Sequence, residues 1–343
     1  NLNKKRKLVG HKYNKRLKQK LDGYCGSCSF LATIIFTATA VNGSSEVDFV
    51  NSNSVNDWSV AHQMSGIAQI AVVSFDGDTI VAGTGWLSGN AGHRAYIFSK
   101  TTSLEGVVTW PSTPSQTIGN PLGAGSHSGF AYGVAVFGNE VVIGAGGYGG
   151  TCGASQLYVY NRASLTQAWP TTSSHIISGH NSVCDFGWKI EQDGISMIVG
   201  APSATSQKAF IFTRVSTLDN WPNVATTIID GYTSLTGFGN QVAIDGDTAV
   251  VANNGGTLHL FVRSNAGVWP ISATVVIDGY ASDFGTGKCI EVEGGTLAVG
   301  VPGANKVYIF GRGNGNDDDG SNSSQEWNKV PKQIITLPGT ITT

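Results

Sequence analysis

Six of the eight tryptophans of this chain recur at intervals of 48 to 59 residues, and this spacing constrains the fold more than any other feature. Four of the six tryptophans are followed by proline, and each precedes a short apolar segment that ends at a glycine. A period near 50 residues with four strand-like segments per repeat is typical of a β-propeller, in which each repeat forms one blade. The six are Trp58, Trp110, Trp169, Trp221, Trp269 and Trp327.

The repeat that begins at Asp185 shows the strand pattern most clearly. Two apolar segments flank Asp193-Gly194, and the second of them ends at Gly200-Ala201-Pro202. Asp-Gly and Gly-Asn pairs favour tight hairpins, because these turns need positive φ angles. The chain of 343 residues has 46 glycines and only 13% charged residues, which suits a turn-rich fold. We therefore predict an all-β propeller of four-stranded blades with almost no helix.

The same repeat resembles the FG-GAP repeat of integrin α-subunit propellers and related extracellular proteins. Phe186-Gly187 with Gly200-Ala201-Pro202 carries the full motif, and Phe284-Gly285 with Gly300-Val301-Pro302 is close to it. Phe238-Gly239 keeps only the first half. The resemblance covers roughly residues 24–338 and implies an extracellular propeller. Integrin-type calcium loops are not expected in the first hairpins, because these are only tight turns here.

The ends of the chain define three segments: a basic partial blade at 1–23, the propeller at 24–339 and a tail at 340–343. Residues 5–22 resemble the last two strands of a seventh unit, which predicts seven blades, with six as the alternative. These strands either close the ring or pair with a neighbouring molecule. Residues 30–40 fit a strand of the repeat better than a signal peptide.

Charge is distributed unevenly along the chain. Residues 1–20 contain no acid, whereas the rest of the chain has 12 basic and 23 acidic residues. Such an arm could bind copies of the same protein or an acidic polysaccharide, and no nucleic-acid partner is expected. The absence of a run of 18 apolar residues predicts no membrane span. The arm consists of Lys4, Lys5, Arg6, Lys7, Lys12, Lys15, Arg16, Lys18 and Lys20.

The five cysteines are interpreted as structural. Cys25-x-x-Cys28 lacks the second pair that a zinc site needs. Cys152 and Cys184 fall in loops predicted to lie on one face of the propeller, so we expect a disulfide between them. Cys25 and Cys28 are expected to pair locally, which would leave Cys289 as a buried free thiol.

The loops on that face also carry the candidate ligand-binding residues. Flat aromatic rings beside hydrogen-bonding groups suit sugars or a protein partner, although loop residues of this kind can simply be solvated. The candidates are Trp86, His93, Arg94, His127, Tyr148, His180, Asp185, Tyr232, Tyr280 and Asp283.

Other candidate sites are weaker. Asp317, Asp319 and Glu326 match positions of a calcium-binding loop, but the first ligand position holds Gly315, so a solvated insertion is the preferred interpretation. No other cofactor is expected. Asn42 and Asn322 begin glycosylation sequons.

The sequence contains no linear catalytic motif that we could identify. The first functional hypothesis is therefore a secreted, non-enzymatic propeller that serves adhesion or builds a surface assembly, possibly a filament. The alternative is a glycan-binding lectin or a polysaccharide-active enzyme that uses the propeller face.

Overall fold

The computed structural model describes 35–41, 44–54, 57–67, 70–84, 92–103, 108–121, 123, 129–146, 155–178, 180–230, 235–278, 289–301, 304–313 and 326–336. Only the backbone is described before residue 70. All named secondary-structure elements in these ranges are strands. Within the described residues, no helix has the length and apolar character needed to cross a membrane.

Five four-stranded antiparallel sheets, which we name blades A to E in chain order, form most of the structure. Blade A contains β4 (Val72–Asp76), β5 (Thr79–Gly83), β6 (Arg94–Ser99) and β9 (Gln116–Gly119). Blade B contains β10 (Phe130–Phe137), β11 (Glu140–Ala145), β12 (Gln156–Asn161) and β13 (His175–Ile177). Blade C contains β14 (Lys189–Asp193), β15 (Ser196–Ala201), β16 (Lys208–Thr213) and β17 (Thr227–Ile229). Blade D contains β18 (Gln241–Asp245), β19 (Thr248–Ala252), β20 (Leu258–Val262) and β21 (Val275–Ile277). Blade E contains β22 (Cys289–Glu293), β23 (Thr296–Val301), β24 (Lys306–Gly311) and β25 (Gln333–Thr336).

The first strands of successive blades lie next to one another. β4 contacts β10, β10 contacts β14, β14 contacts β18, and β18 contacts β22. Strands within each blade follow in sequence order from this inner strand to the outermost one. This is the arrangement of a β-propeller, and it confirms the predicted fold class.

A three-stranded sheet precedes blade A. It consists of β1 (Ile35–Val41), β2 (Ser44–Ser54) and β3 (Asp57–Ile67). β1 overlaps the segment that could be read as a strand or as a signal peptide, and its backbone is a strand. A short ribbon of β7 (Thr101–Thr102) and β8 (Val108–Thr109) extends blade A. The total number of blades stays a prediction.

Most of the hydrophobic core lies between neighbouring blades. The second strands β5, β11, β15 and β19 are buried along their whole length, and for β11, β15 and β19 a neighbouring blade covers each face. The contacts between B and C, for example, join Val142 and Leu157 to Phe186 and Trp221. Strands buried on both faces need apolar side chains at consecutive positions, which explains their continuous Val, Ile and Ala runs.

Glycines allow the closest approach of one blade to the next. Gly187 of blade C adopts a φ of 97° and lies against Gly144 of blade B. A methyl group on Gly144 would overlap the carbonyl oxygen of Gly187. The same contact joins Gly200 to Gly239, whose φ is 90°. These glycines belong to the recurrent Phe-Gly and Gly-Ala motifs, so the motif is explained by backbone contact between blades.

A buried lock of three side chains joins blade C to blade B. The Trp221 indole Nε1 donates a hydrogen bond to Glu140 Oε1 at 2.9 Å, and Arg214 Nη1 donates to Glu140 Oε2 at 2.9 Å. The Arg214 guanidinium lies 4.1 Å from the centre of the Trp221 ring. All three side chains are buried. Each charge is therefore paired where water cannot solvate it.

Related locks recur between other blades. Arg162 of blade B donates two hydrogen bonds of 2.8 Å to the Asp78 carboxylate of blade A and stacks over Trp169 at 4.5 Å. Arg312 of blade E pairs with Asp247 of blade D. Trp169, Trp221, Trp269 and Trp327 are all buried at blade interfaces, which confirms the predicted role of these four. Trp110 packs within blade A, and the Trp58 side chain lies outside the described residues.

Replacing Gly144 by alanine tests the glycine contact. We expect the free energy of unfolding to fall by about 2 kcal/mol or more, because the new methyl group forces two backbones apart. Gly119→Ala is the matched control, since its new methyl group would meet no atom within 4 Å. Denaturant unfolding of both variants measures the difference. Equal stability of the two would contradict this account of the motif.

Candidate functional site

The loop face is the end of the propeller where the inter-blade loops meet the loops between second and third strands. His93, Arg94, His180 and Asp185 are the sequence-predicted candidates that fall among the described residues. The remaining candidates lie outside the described residues and stay predictions: Trp86, His127, Tyr148, Tyr232, Tyr280 and Asp283.

His180 supports the structure of blade C rather than an open binding surface. Its ring is buried, and its centre lies 5.2 Å from that of Phe186 and 4.5 Å from that of Phe210. The backbone amide of Ala225 donates a hydrogen bond to His180 Nε2 at 2.9 Å. Burial lowers the pKa of His180, which favours the neutral ring that this acceptor role requires. His180 was predicted as a ligand-binding residue, but this geometry removes it from the exposed surface.

Asp185 lies in a turn and is half-buried. It adopts a φ of 59°, a left-handed conformation that is unfavourable for most side chains. Burial raises the pKa of its carboxyl group. Its carbonyl oxygen accepts a hydrogen bond from the amide of Trp188 at 3.0 Å, which closes a turn. Asp185 thus places a partly desolvated carboxyl group three residues before Trp188.

Four neighbouring side chains, which we call the aromatic–amide row, cross three blades on the loop face. The rings of Tyr132 and Trp188 stack with centres 4.6 Å apart and planes inclined by 21°. Trp188 Nε1 donates to Asn240 Oδ1 at 2.9 Å, and Asn240 Nδ2 donates to Asn254 Oδ1 at 3.0 Å. The His93 ring lies beside the row, with its centre 6.5 Å from that of Tyr132. Tyr132 is buried, whereas Trp188, Asn240 and Asn254 are half-buried.

The sequence analysis missed this row. Its first three members each follow the position of the Phe-Gly motif: Phe130-Ala131-Tyr132, Phe186-Gly187-Trp188 and Phe238-Gly239-Asn240. Because the motif fixes the start of each inner strand, the next residue occupies the same place in every blade. An alignment of the repeats at that one position would have identified the row from the sequence.

The other predicted sites are only partly described. Glu326 is exposed, and its backbone oxygen accepts a hydrogen bond from Gly313; Asp317 and Asp319 lie outside the described residues. Asn42 and Asn322 lie outside them as well. No group of three potential metal ligands occurs among the residues that the structure describes.

Two of the cysteines are described, and both are disulfide-bonded. They are Cys184 and Cys289. The expectation that Cys289 is a buried free thiol is therefore wrong: it is bonded and only half-buried. The pairing of Cys184 with Cys152 stays a prediction, as does the local pair of Cys25 and Cys28, because these partners lie outside the described ranges.

The outer rim of the propeller is apolar at many exposed positions. We define it as the outermost strands and the connections between third and fourth strands. Every large apolar side chain that is exposed among the described residues belongs to this rim. These side chains are Val108, Leu165, Ile176, Val215, Leu218, Val224, Ile228, Val268, Ile271, Val330 and Ile334.

Two successive outermost strands, β13 and β17, share one exposed position. The middle residue of β13 is Ile176, which lies opposite Tyr158 of the third strand; Ile228 of β17 lies opposite Phe210 in the same way. Both isoleucines are exposed, whereas their aromatic neighbours are buried. Within each four-stranded sheet, the outermost strand pairs on one side only. The rim therefore combines β-branched side chains with strand edges, a combination that favours contact with another chain.

Comparison with known proteins supports the fold only. No family model matches this chain, and no curated protein matches it. It is similar to the solved structure of a putative 6-phosphogluconolactonase from Bacteroides fragilis, with a TM-score of 0.54, 12% identity, and coverage of 89% of this chain and 82% of that one. For a putative 6-phosphogluconolactonase from Bacteroides uniformis, the TM-score is 0.53, the identity 10%, and the coverage 88% and 84%. The FG-GAP resemblance stays a prediction.

His259 of β20 is expected to make stability depend on pH. Its ring is buried beside Phe238, and burial lowers its pKa from 6.5 to about 4. Between these values the unfolded chain binds more protons, so stability is complete above pH 6.5 and falls as the pH drops toward 4. The loss should reach roughly 3 kcal/mol. Urea unfolding across this range should show a shallower slope for His259→Phe, and an unchanged slope would contradict the assignment.

Proposed function

We propose that this chain is a non-enzymatic extracellular propeller that builds a surface assembly by contact with further copies of itself through its outer rim. The observation that carries the proposal is the location of the exposed large apolar side chains, all of which, among the described residues, lie on the rim. Exposed apolar side chains along the edges of sheets are available for contact with another chain.

The rim also supplies the hydrogen-bonding groups that such contact needs. The outermost strands are three or four residues long, and one side of each is not paired within its own sheet. A strand from another molecule can add to such an edge through backbone hydrogen bonds, while Ile176 and Ile228 supply apolar contacts beside it. Short edges limit uncontrolled addition, because each offers few hydrogen bonds.

Charge supports a second copy of the chain as the partner. Residues 1–20 carry nine basic residues and no acid, whereas the rest of the chain has 12 basic and 23 acidic residues. The arm of one molecule is thus complementary to the body of another. Electrostatic attraction of this kind weakens as salt rises.

An extracellular location is supported by the two disulfide-bonded cysteines. Cys184 and Cys289 belong to separate blades, and both are oxidised. Disulfides persist in oxidising compartments and are rare in the cytosol of most organisms. The low content of charged residues, 13%, fits the same location.

Adding lysines to the outermost strands tests the assembly. The double variant Ile176→Lys, Ile228→Lys should fold with a melting temperature close to that of the parent, because both side chains are exposed. It should self-associate at least 10-fold more weakly, since charged edges oppose strand addition. Light scattering over a concentration series measures the difference.

The matched control adds the same two charges to the loop face. Ser182 and Ala204 are exposed there, so Ser182→Lys, Ala204→Lys changes the net charge equally without touching the rim. The control should assemble as the parent does. Equal association of the two double variants, or a parent that is monomeric at all concentrations, would refute the proposal.

A second candidate function is glycan binding on the loop face, and the aromatic–amide row favours it. Trp188 offers a half-buried ring, and Asn240 and Asn254 place amide groups beside it. Sugars bind to such combinations through stacking and hydrogen bonds. A polysaccharide-active enzyme could use the same face. The lactonase names of the two structural neighbours add no argument for this chain, because identities of 12% and 10% indicate fold alone.

Substitution of Trp188 tests the second candidate. If a panel of neutral and uronic-acid polysaccharides yields a ligand for the parent, Trp188→Ala should weaken its binding at least 10-fold by isothermal titration calorimetry. Trp188→Phe is the matched control: it keeps a ring to stack on and should retain most of the affinity. Glycan binding at this row would be contradicted if neither variant lost affinity, or if no polysaccharide of the panel bound the parent protein.

A further inference from the structure

The interface between blades C and D lacks the carboxylate that completes the lock between blades B and C. In the B–C lock, the carboxylate of Glu140 accepts hydrogen bonds from the Trp221 indole and the Arg214 guanidinium. Glu140 is the first residue of the second strand of blade B, and Ser196 is the first residue of the second strand of blade C. Ser196 has only a hydroxymethyl group there, so it offers blade D no carboxylate.

The groups that would bind such a carboxylate are present at the C–D interface. Arg263 follows the third strand of blade D as Arg214 follows that of blade C, and the amide of each donates a hydrogen bond to the first hairpin turn of its own blade. Trp269 belongs to the same core cluster as Ile198 of blade C. Ser196 lies on the same face of its strand as Ile198, because side chains two positions apart share a face. Arg263, Trp269 and Ser196 therefore belong to one interface.

These three groups lack the partners that their counterparts have. Trp269 Nε1 and Ser196 Oγ are buried without a hydrogen-bond partner. Within the part of the chain that the structure describes, the Arg263 guanidinium makes no hydrogen bond and no ion pair; it lies 5.3 Å from the centre of the Trp269 ring. A buried donor without an acceptor is unfavourable. An acceptor added at this position would therefore stabilise the interface.

The other described interfaces between blades A and E do not combine these features. In the A–B and B–C interfaces, the arginine and the indole both have partners. In the D–E interface, Trp327 Nε1 has no partner, but Arg312 is paired with Asp247. An unpaired guanidinium beside an unpaired indole is thus specific to the C–D interface among the four.

The arginine of this interface is also open to solvent. Arg263 is half-buried, whereas Arg214 of the B–C lock is only 5% exposed. Val268 and Ile271, on either side of Trp269 in the sequence, are exposed on the rim. A ligand can therefore reach the guanidinium of Arg263 from solvent, while the indole and the hydroxyl group lie deeper.

We infer that Arg263, Trp269 and Ser196 form a binding site for a carboxylate group supplied from outside the interface. One carboxylate oxygen accepts hydrogen bonds from the Arg263 guanidinium, and the other accepts from Trp269 Nε1, as the two oxygens of Glu140 do in the B–C lock. The Ser196 hydroxyl is a further donor. The carboxylate belongs either to a small free acid or to an acidic side chain of a second copy of the chain. Only the second source rests on the proposed assembly.

NMR titration of the full chain with sodium acetate tests the site. The Trp269 indole N–H is the reporter, and its resonance is assigned from its loss in Trp269→Phe. We expect this resonance to shift in a saturable manner with acetate but not with sodium chloride at the same concentration, because a carboxylate forms a charge-assisted hydrogen bond with the indole. The absence of a saturable shift, or an equal shift in chloride, would overturn the inference.

Three variants test which residues form the site. Arg263→Gln should weaken acetate binding by about 10-fold, because it removes the charge-assisted hydrogen bonds. Arg94→Gln is the matched control, since it removes an exposed arginine of blade A and should leave acetate binding unchanged. Ser196→Glu supplies the carboxylate within the chain, so its Trp269 resonance should no longer respond to acetate. Unchanged binding in Arg263→Gln would refute the site, and this test stands even if Ser196→Glu does not fold.

Light scattering then identifies the source of the carboxylate. If it is a side chain of a second copy, saturating acetate and Arg263→Gln should each weaken self-association by about 10-fold relative to the parent in sodium chloride, because each removes the same contact. If it is a free acid, neither should change association. The site itself is decided by the Trp269 resonance, whereas the assembly is decided by the rim variants, so failure of one is distinguishable from failure of the other.

Discussion

The close contact of backbones at the inter-blade glycines is the constraint on which the rest of this structure depends. Gly144 meets Gly187 and Gly200 meets Gly239 at separations that exclude a side chain. This contact sets the spacing of the inner strands. The spacing in turn decides whether Arg214 and Trp221 can reach Glu140 across the interface. A displacement of about 1 Å at the glycines would break these hydrogen bonds, because their donor–acceptor distances can vary by less than about 1 Å.

The locks between blades show how a buried interface accommodates charged side chains. Glu140 accepts hydrogen bonds from both an indole and a guanidinium, so its two oxygens are satisfied without water. Between blades C and D the arrangement is different: Arg263 lies 5.3 Å from the Trp269 ring, and Ile195 occupies the turn position that holds Asp78 in blade A. The Trp269 ring is thus packed between blades C and D although Ile195 offers Arg263 no charged partner. The tryptophan is the common element of the interface, and the charges vary around it.

Much of the fold could be predicted because its determinants repeat. The Phe-Gly motif, the Asp-Gly turns and the tryptophans each have one structural role that recurs from blade to blade. Their periodicity in the sequence therefore reveals them. His180 could not be assigned in this way, since its role depends on Ala225 and Phe210, which only the folded blade brings near. Cys289 was misjudged for a related reason. No other cysteine lies near it in the sequence, so the spacing of the cysteines gives no sign of its disulfide.

Repetition also restricts where function can lie. In blades B and C the inner and middle strands are covered on both faces by other blades, so their side chains are committed to packing. Two regions escape this demand: the loop face, where Trp188 is half-buried, and the rim, where Ile176 and Ile228 are exposed. Polar alternatives at the rim positions would remove little buried surface from the fold. Isoleucine at the centre of successive outermost strands suits the β conformation, and its exposed side chain also fits the contact with another chain that we propose.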